Sequence, residues 1–387
     1  MVSLFLVFLL MLAGRFSLGR FSPALSAVDL RWVIVALAFL SVGLWIAVER
    51  PPLIVKNLGA GFAWFLIWIV WMVVSIARSP YGVNLWGEAE NILLLGLGIL
   101  CAAVVMSYAS ADELRFVWWL IFLVALLYFA DALIRGPGQS GRYAAFGGGP
   151  NVFVRIMVLG ALATLILSIV RRRSWTLWFT PLFAFGAILS GSRGGLVAAI
   201  LIMFLGLIPV IKRLGFRKTF GLLLASIFIV VLVPYLLGAD QLNEMYQRLI
   251  VLPLIEGDAS SRDVLAQRAI ELFSQNPLFG AGLGSVAMES SSGERGLHAH
   301  NLMLSTAAEA GIVGLVFLVL SLTCFTLPIL RSRLISTEAL FALGAAIFVF
   351  VAALFSGDYY DSRFMWFFLL MFISLMNRSD GLVSSRE

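Results

Sequence analysis

Long apolar runs recur along nearly the whole chain, and that pattern leaves few folds open. A helix needs about 20 mostly apolar residues to cross the hydrocarbon core of a bilayer. Segments near 2–14, 30–48, 58–77, 89–109, 115–134, 152–170, 175–190, 195–211, 220–237, 301–327, 338–356 and 362–377 read as such helices. The runs are continuous rather than alternating, which excludes a membrane β-barrel. With 12% charged residues and a mean hydropathy of +1.01, the chain leaves no room for a soluble domain of ordinary size. The expected fold is an all-α polytopic membrane protein, about 12 helices in one integral membrane domain spanning 1–387. The first run lacks a positive n-region, so it reads as a short or tilted helix rather than a signal peptide. Cys101 and Cys324 lie in apolar runs and read as small buried hydrophobes.

Basic residues in short loops orient such a chain. Arg171, Arg172 and Arg173, the set Lys212, Arg213, Arg217 and Lys218, and the pair Arg331 and Arg333 fall on one side of this helix count. All three lysines fall there too, so both termini face the cytoplasm; Arg15, Arg20 and Arg31 dissent. The outer half then holds Glu88, Glu90, Asp131, Arg142, Arg155, Arg193, His300, Glu309, Asp358 and Asp361. Ionisable groups at membrane depth are costly unless they face protein or water, so their clustering points to a site that opens outward. A transporter more often carries them near the midplane between repeats, and no internal repeat is visible.

Two outer segments interrupt the apolar pattern. Residues 135–151 are glycine-rich, which suits either a plain connector or a backbone that approaches a ligand closely. The other, within 238–300, is a long periplasmic loop in which Ser261–Phe273 reads as an amphipathic helix on the membrane surface. From Gly238 to Leu297 this loop holds eight acidic residues against four arginines, so it is no basic lipid patch. Nucleic acid is not an expected partner, since the cytoplasmic basic loops and anionic lipid account for the pI near 9.6.

Both histidines of the chain stand at the end of this loop, in His298-Ala299-His300-Asn301, where it meets a membrane helix. Zinc needs three or four ligands, and no cysteine or further histidine is at hand, so no metal is expected. A polar helix cap is one reading; a neutral imidazole serving as general base is the other. Arg193, in the turn 190–195, and Arg262, opening the amphipathic helix, read either as snorkelling side chains or as bidentate phosphate clamps. Glu309 lies nine residues beyond His300, roughly 13 Å deeper on the opposite helix face, and is expected to tie that helix to a neighbour.

Taken together, 190–195, Ser261-Arg262, the run from Asn276 to Gly284, His298-x-His300-Asn301 and Glu309-x-Gly311 resemble the O-antigen ligase and polymerase superfamily. The stretch 147–151, ending in Pro150-Asn151, resembles its glycine-rich segment, while 142–146 departs from the family pattern. The resemblance implies a glycosyltransferase C-like enzyme of the bacterial inner membrane, active at the periplasmic face. Such enzymes pass a glycan from undecaprenyl diphosphate to an acceptor hydroxyl. Carried over by position, it implies that Arg193, Arg262 and, more loosely, Arg142 bind the diphosphate and that His300 takes the acceptor's proton. His298 and Asn301 fall at the substrate, with Glu309 and Asn151 as supports. No cofactor is implied, because arginines supply the charge neutralisation. A ligase acting on lipid A core is expected first, then a polymerase extending a second lipid-linked glycan. A protein-glycosylating member is disfavoured by the short tail beyond Asn377. From another class, a lipid-linked oligosaccharide flippase shares the helices but has no need of the His-x-His loop. Arg193, Arg262 and His300 are expected to line one outward cavity.

Overall fold

The computed structural model describes residues 1–14, 29–49, 59–80, 85–138, 141–237, 261–287, 300–331 and 335–384. Its regular structure is helical: α1 (Val2–Leu12), α2 (Leu30–Glu49), α3 (Gly59–Ser75), α4 (Leu85–Tyr108), α5 (Ala111–Arg135), α6 (Pro150–Val170) and α7 (Phe179–Leu189). There follow α8 (Arg193–Leu214), α9 (Phe216–Leu237), α10 (Ser261–Gln275), α11 (Leu302–Thr326), α12 (Thr337–Ala353) and α13 (Arg363–Ser384). Among the described residues, seven helices are long and apolar enough to cross a bilayer: α2, α3 with its following turn, α4, α5, α6, α8, and α11 with its continuation to Leu330. Helices α1 and α12 are apolar but shorter, as is the stretch Ser174–Leu189 that contains α7. The chain is thus an all-α, multi-pass membrane protein by length and composition; twelve crossings stay an expectation.

The chain divides into two compact units. The first comprises Met1–Leu114, Ser260–Ala346 and Gly357–Glu387; the second comprises Arg115–Ala259 and Ile347–Ser356. In the first, α3 lies close against α11. A side chain on Gly61 would begin 2.7 Å from the Phe325 ring, and Ser321 Oγ donates to the Gly61 carbonyl at 2.8 Å. Phe65, Trp68 and Trp366 pack as one fully buried aromatic cluster, with ring centroids 4.6–6.1 Å apart.

Polar residues fasten the ends of these helices. Tyr360 Oη donates to the carbonyls of Leu10 and Ala13 at 3.3 and 3.0 Å, and Arg363 Nε donates to Met11 O at 2.6 Å. The carbonyls left over at the end of α1 are satisfied in this way. Arg31, which dissented from the charge count, is buried and clamped by Asp29 at 2.6 Å, with Glu90 at 3.6 Å. It is a partner in a polar network rather than a loose loop charge.

The second unit is packed through glycines. A Cβ on Gly160 would begin 2.4 Å from Ala125, one on Gly186 would meet Met157 at 2.6 Å, and one on Gly195 would meet Val154 at 2.3 Å. Backbones therefore approach where neighbouring side chains would otherwise collide, the usual device for tight helix contact in membranes.

What positions the first unit's polar residues is a break in α11. Gly311 has φ 68 and ψ −168, a conformation essentially reserved for glycine, and it interrupts the helical ladder. Residues 276–284, the glycine-bearing run that carries part of the family resemblance, are inserted at that break. Ala281 N and Gly282 N donate to the carbonyls of Ala308 and Glu309 at 2.9 and 3.0 Å, and Trp71 Nε1 donates to Ala310 O at 3.0 Å. On the other side of the break, Ile312 N and Val313 N donate to Pro277 O and Leu278 O at 2.8 and 3.3 Å. In hydrocarbon each unsatisfied backbone group costs several kcal/mol, so a broken helix survives only with such substitutes. Only glycine fits the insertion: a Cβ at Gly280 would start 2.3 Å from the Glu309 backbone, and one at Gly282 would start 2.3 Å from Ser79 N. Arg78 and Ser79 hold the loop's outer side, donating to Phe279 O and Leu283 O, both at 2.7 Å.

Candidate functional site

Asn301 is the N-cap of α11. Its Oδ1 accepts from Met303 N and Leu304 N, each at 3.1 Å, satisfying two of the helix's orphan donors. His300, one residue earlier, takes a left-handed backbone with φ 53, uncommon outside glycine. The half-buried imidazole is thereby turned toward the segment after α12, where Gly357 N donates to its Nδ1 at 3.4 Å. His298 lies outside the described residues.

Glu309 is buried in α11, two residues before the break, and three donors converge on its carboxylate. Tyr359 Oη donates at 2.8 Å, and the backbone N–H groups of Gly284 and Val286 complete the set. Burial, and then the Glu309 charge, push the Tyr359 hydroxyl well above the ordinary tyrosine range, so it stays protonated and donates. One side chain thus joins α11, the inserted loop and the segment 357–362. Removing a partner from such a buried arrangement leaves the rest unsatisfied, at about 1–3 kcal/mol. Tyr359→Phe and Glu309→Gln are each expected to lower the thermal midpoint of the solubilised protein. An unchanged midpoint in both variants would show that the carboxylate does not hold the break together.

Beside these residues lies a small cleft of about 10 Å³, bordered by Ser305, Glu309, Gly357, Asp358 and Tyr359. Asp358 is held on both oxygens: Oδ1 accepts from Asp361 N at 2.9 Å, and Oδ2 accepts from Asn91 Nδ2 at 3.5 Å. Asn91 Oδ1 in turn accepts from Arg31 at 3.0 Å. Gly357 and Tyr359 received no role in the sequence reading, and Asp358 only a place among the outer ionisable residues. The signal available was the polar run from Ser356 to Arg363 between two apolar helices, which carries two aspartates and two tyrosines.

The second unit gathers the other expected residues that belong to it. The turn 190–195 joins α7 to α8, with Ser192 as N-cap of α8 and Arg193 as its first residue. Ser192 Oγ accepts from Gly195 N at 3.4 Å and donates to Asn151 Oδ1 at 2.7 Å. Asn151 stands in the first turn of α6, so the N-termini of α6 and α8 meet through this bond. Arg142 braces the same turn: Nε donates to Ser190 O at 2.9 Å and a terminal nitrogen reaches Asn151 Oδ1 at 3.4 Å. Its aliphatic stem rests on Gly191, whose φ is 56. Arg155, buried, donates to Ser356 O at 2.6 Å and to its hydroxyl at 3.0 Å.

Arg193 differs from these. Its half-buried guanidinium makes no hydrogen bond or ion pair with the described residues, although two helix N-termini and Arg142 surround it with positive potential. A cation kept in such a place favours an anion, and its planar fork matches a phosphate. Arg262 is the second residue of α10; its side chain lies outside the described residues. Helix α10 buries Leu265 and Ala269 and leaves Val264 and Ile270 exposed. Among the described residues no group of three or more His, Cys, Asp or Glu side chains could hold a metal ion.

The described residues thus place His300 next to the N-cap of a membrane helix, and Arg193 at the N-terminus of another with no hydrogen bond or ion pair among them. Residues 178–319 match the family model of the O-antigen ligases, which supports a place in the O-antigen ligase and polymerase superfamily. The match supports activity of that general type and a glycosyltransferase-like enzyme. No curated protein and no solved structure matches the chain.

Proposed function

We infer that this protein transfers a glycan from an undecaprenyl-diphosphate carrier to an acceptor hydroxyl at the periplasmic face of the bacterial inner membrane, with lipid A core as the acceptor. The observation that carries this reading is the O-antigen ligase match over 178–319, the segment that holds Arg193, Arg262 and His300. In this reading Arg193 and Arg262 bind the diphosphate and stabilise the charge it gains on leaving. Arg142 braces the turn that carries Arg193, donating to Ser190 O and Asn151 Oδ1. His300 takes the proton of the acceptor hydroxyl. No metal step is needed, because the guanidinium groups supply the positive charge.

The test is glycan transfer by purified full-length protein from an undecaprenyl-diphosphate glycan, with chelator present, offering either lipid A core or a second lipid-linked glycan. Product on lipid A core supports the ligase; growth on the carrier makes the protein a polymerase with the same chemistry; no product on either acceptor refutes the reading. In the same assay Arg193→Ala is expected to lose about 10²–10³-fold in rate, the usual cost of one donor to a developing charge. Arg193→Lys is expected to recover only part, because an ammonium keeps the charge but not the fork. Equal rates for arginine and alanine would remove Arg193 from the site.

A further inference from the structure

In the glycine-rich loop of the second unit, Phe146 is held in a backbone conformation that a bulky side chain rarely takes. Its φ is 49 and that of Gly147 is 67, inside a tight turn closed by Gly148 N, which donates to Ala145 O at 2.9 Å. Turns with two successive positive φ values favour glycine and asparagine, and the second place here does hold glycine. Phenylalanine at the first place is the exception, and contacts from α5 enforce it. Asp131 Oδ2 accepts from Phe146 N at 2.6 Å, and the Tyr128 ring meets the Phe146 ring at 4.9 Å between centroids and an angle of 61°. Strain of this kind persists only where the surroundings impose it, and it collects at functional sites. The strained side chain is not core, since Phe146 is 37% exposed.

The polar groups beside the ring pair indicate what it meets. Arg135 Nε donates to both Asp131 oxygens, at 2.9 and 2.8 Å, while its terminal nitrogens make no hydrogen bond with the described residues. A carboxylate has about four acceptor positions, so Asp131 keeps one beyond those used by Arg135 and Phe146. An aromatic face beside a carboxylate and a free guanidinium edge suits a sugar ring. The sugar's C–H face lies on the negative face of the aromatic ring, and its hydroxyls donate to the carboxylate and accept from the guanidinium. A lipid tail uses neither polar group, and an aromatic anchor at the membrane interface needs no strained backbone. The same loop also reaches the arginine turn. Tyr143 N donates to Leu189 O at 3.1 Å, next to the bond from Arg142 to Ser190 O. Phe146 follows Tyr143 by a stretch of chain that spans at most about 11 Å. We propose that Tyr128, Asp131, Arg135 and Phe146 form a subsite for a sugar residue of the donor glycan, beyond the diphosphate held at Arg193. The proposal rests on the reading of the protein as a transferase of a diphosphate-linked glycan, and names where that glycan is gripped.

Phe146→Gly separates recognition from folding, because glycine takes φ 49 without strain. Its thermal midpoint is expected to equal or exceed that of wild type. For the undecaprenyl-diphosphate glycan, kcat/KM is expected to fall about 10-fold through KM, near the most that one aromatic contact contributes. Phe146→Tyr, which keeps the ring, is expected to stay within about 2-fold of wild type. Undecaprenyl diphosphate without glycan, added as an inhibitor, is expected to bind wild type and Phe146→Gly alike. An unchanged KM in Phe146→Gly overturns the proposal. So does an equal loss of affinity for the sugar-free carrier, which would assign the ring to lipid or diphosphate. A second measurement needs no transfer: saturation-transfer NMR of the free oligosaccharide released from the same carrier, with the full chain in nanodiscs. Signal on the sugar C–H protons is expected with wild type and is expected to be lost with Phe146→Gly and with Tyr128→Leu. Equal signal from all three proteins, or none from wild type, overturns the subsite. Oligosaccharide binding by a wild-type protein that transfers nothing supports the subsite and refutes the transfer reading, so the two failures are distinguished.

Discussion

The His300→Ala variant is expected to lose glycan transfer by about 10²–10⁴-fold, the range that general-base catalysis contributes, while remaining folded. The separation of the two effects follows from the surroundings of the ring. The imidazole is half-buried, and the bond it accepts from Gly357 N is long, at 3.4 Å. The structural task at this point is done by Asn301, whose carboxamide caps α11 and is untouched by the change. Retention of the thermal midpoint with loss of transfer is therefore the expected pair of results. A parallel loss of midpoint and transfer would make His300 a structural residue and would reassign the proton acceptor.

The Gly311→Ala variant is expected to show the opposite pattern, a loss of folded protein whatever the substrate. Gly311 sits at φ 68 and ψ −168, where a side chain alone costs about 1–3 kcal/mol. A Cβ there would also start 2.3 Å from the Leu278 carbonyl oxygen, against backbone that is itself bonded to Val313. Gly280→Ala, whose Cβ would start 2.3 Å from Glu309, is expected to behave alike. Gly206→Ala in α8 provides the contrast: nothing lies within 4 Å of its Cβ, and alanine is the better helix former by about 1 kcal/mol. Thermal unfolding of the three solubilised variants is the measurement. Midpoints of Gly311→Ala and Gly280→Ala equal to wild type would mean that the inserted loop is not held at the break as described.

These two glycines also show how far the sequence could be read. Gly280, Gly282 and Gly284 were legible as places of unusual backbone, because glycine alone tolerates positive φ. Their partner was not legible, since Gly311 lies some thirty residues along the chain in what reads as an uninterrupted apolar helix. A polar cap was legible for the His298–His300 pair, but the residue that caps α11 is Asn301, which the resemblance had placed at the substrate. The partner of Glu309 was not legible, because Tyr359 reaches it from a segment fifty residues away that carries no local signal of pairing. Arg31 counted as an awkward loop charge until Asp29, Glu90 and Asn91 were found around it.

Apolar run length determined by itself that this chain is helical and spans a membrane, because a bilayer admits no other use for such runs. Spacing and residue type marked the histidine pair, the two arginines and the glycine-rich segments, since those depend on local chemistry alone. Only the tertiary structure decided that α11 breaks at Gly311, that residues 276–284 supply the missing backbone bonds, and that Gly357 N donates to His300. The reason is physical: a broken membrane helix is stable only when distant groups satisfy its backbone, and which groups those are is a property of the folded neighbourhood.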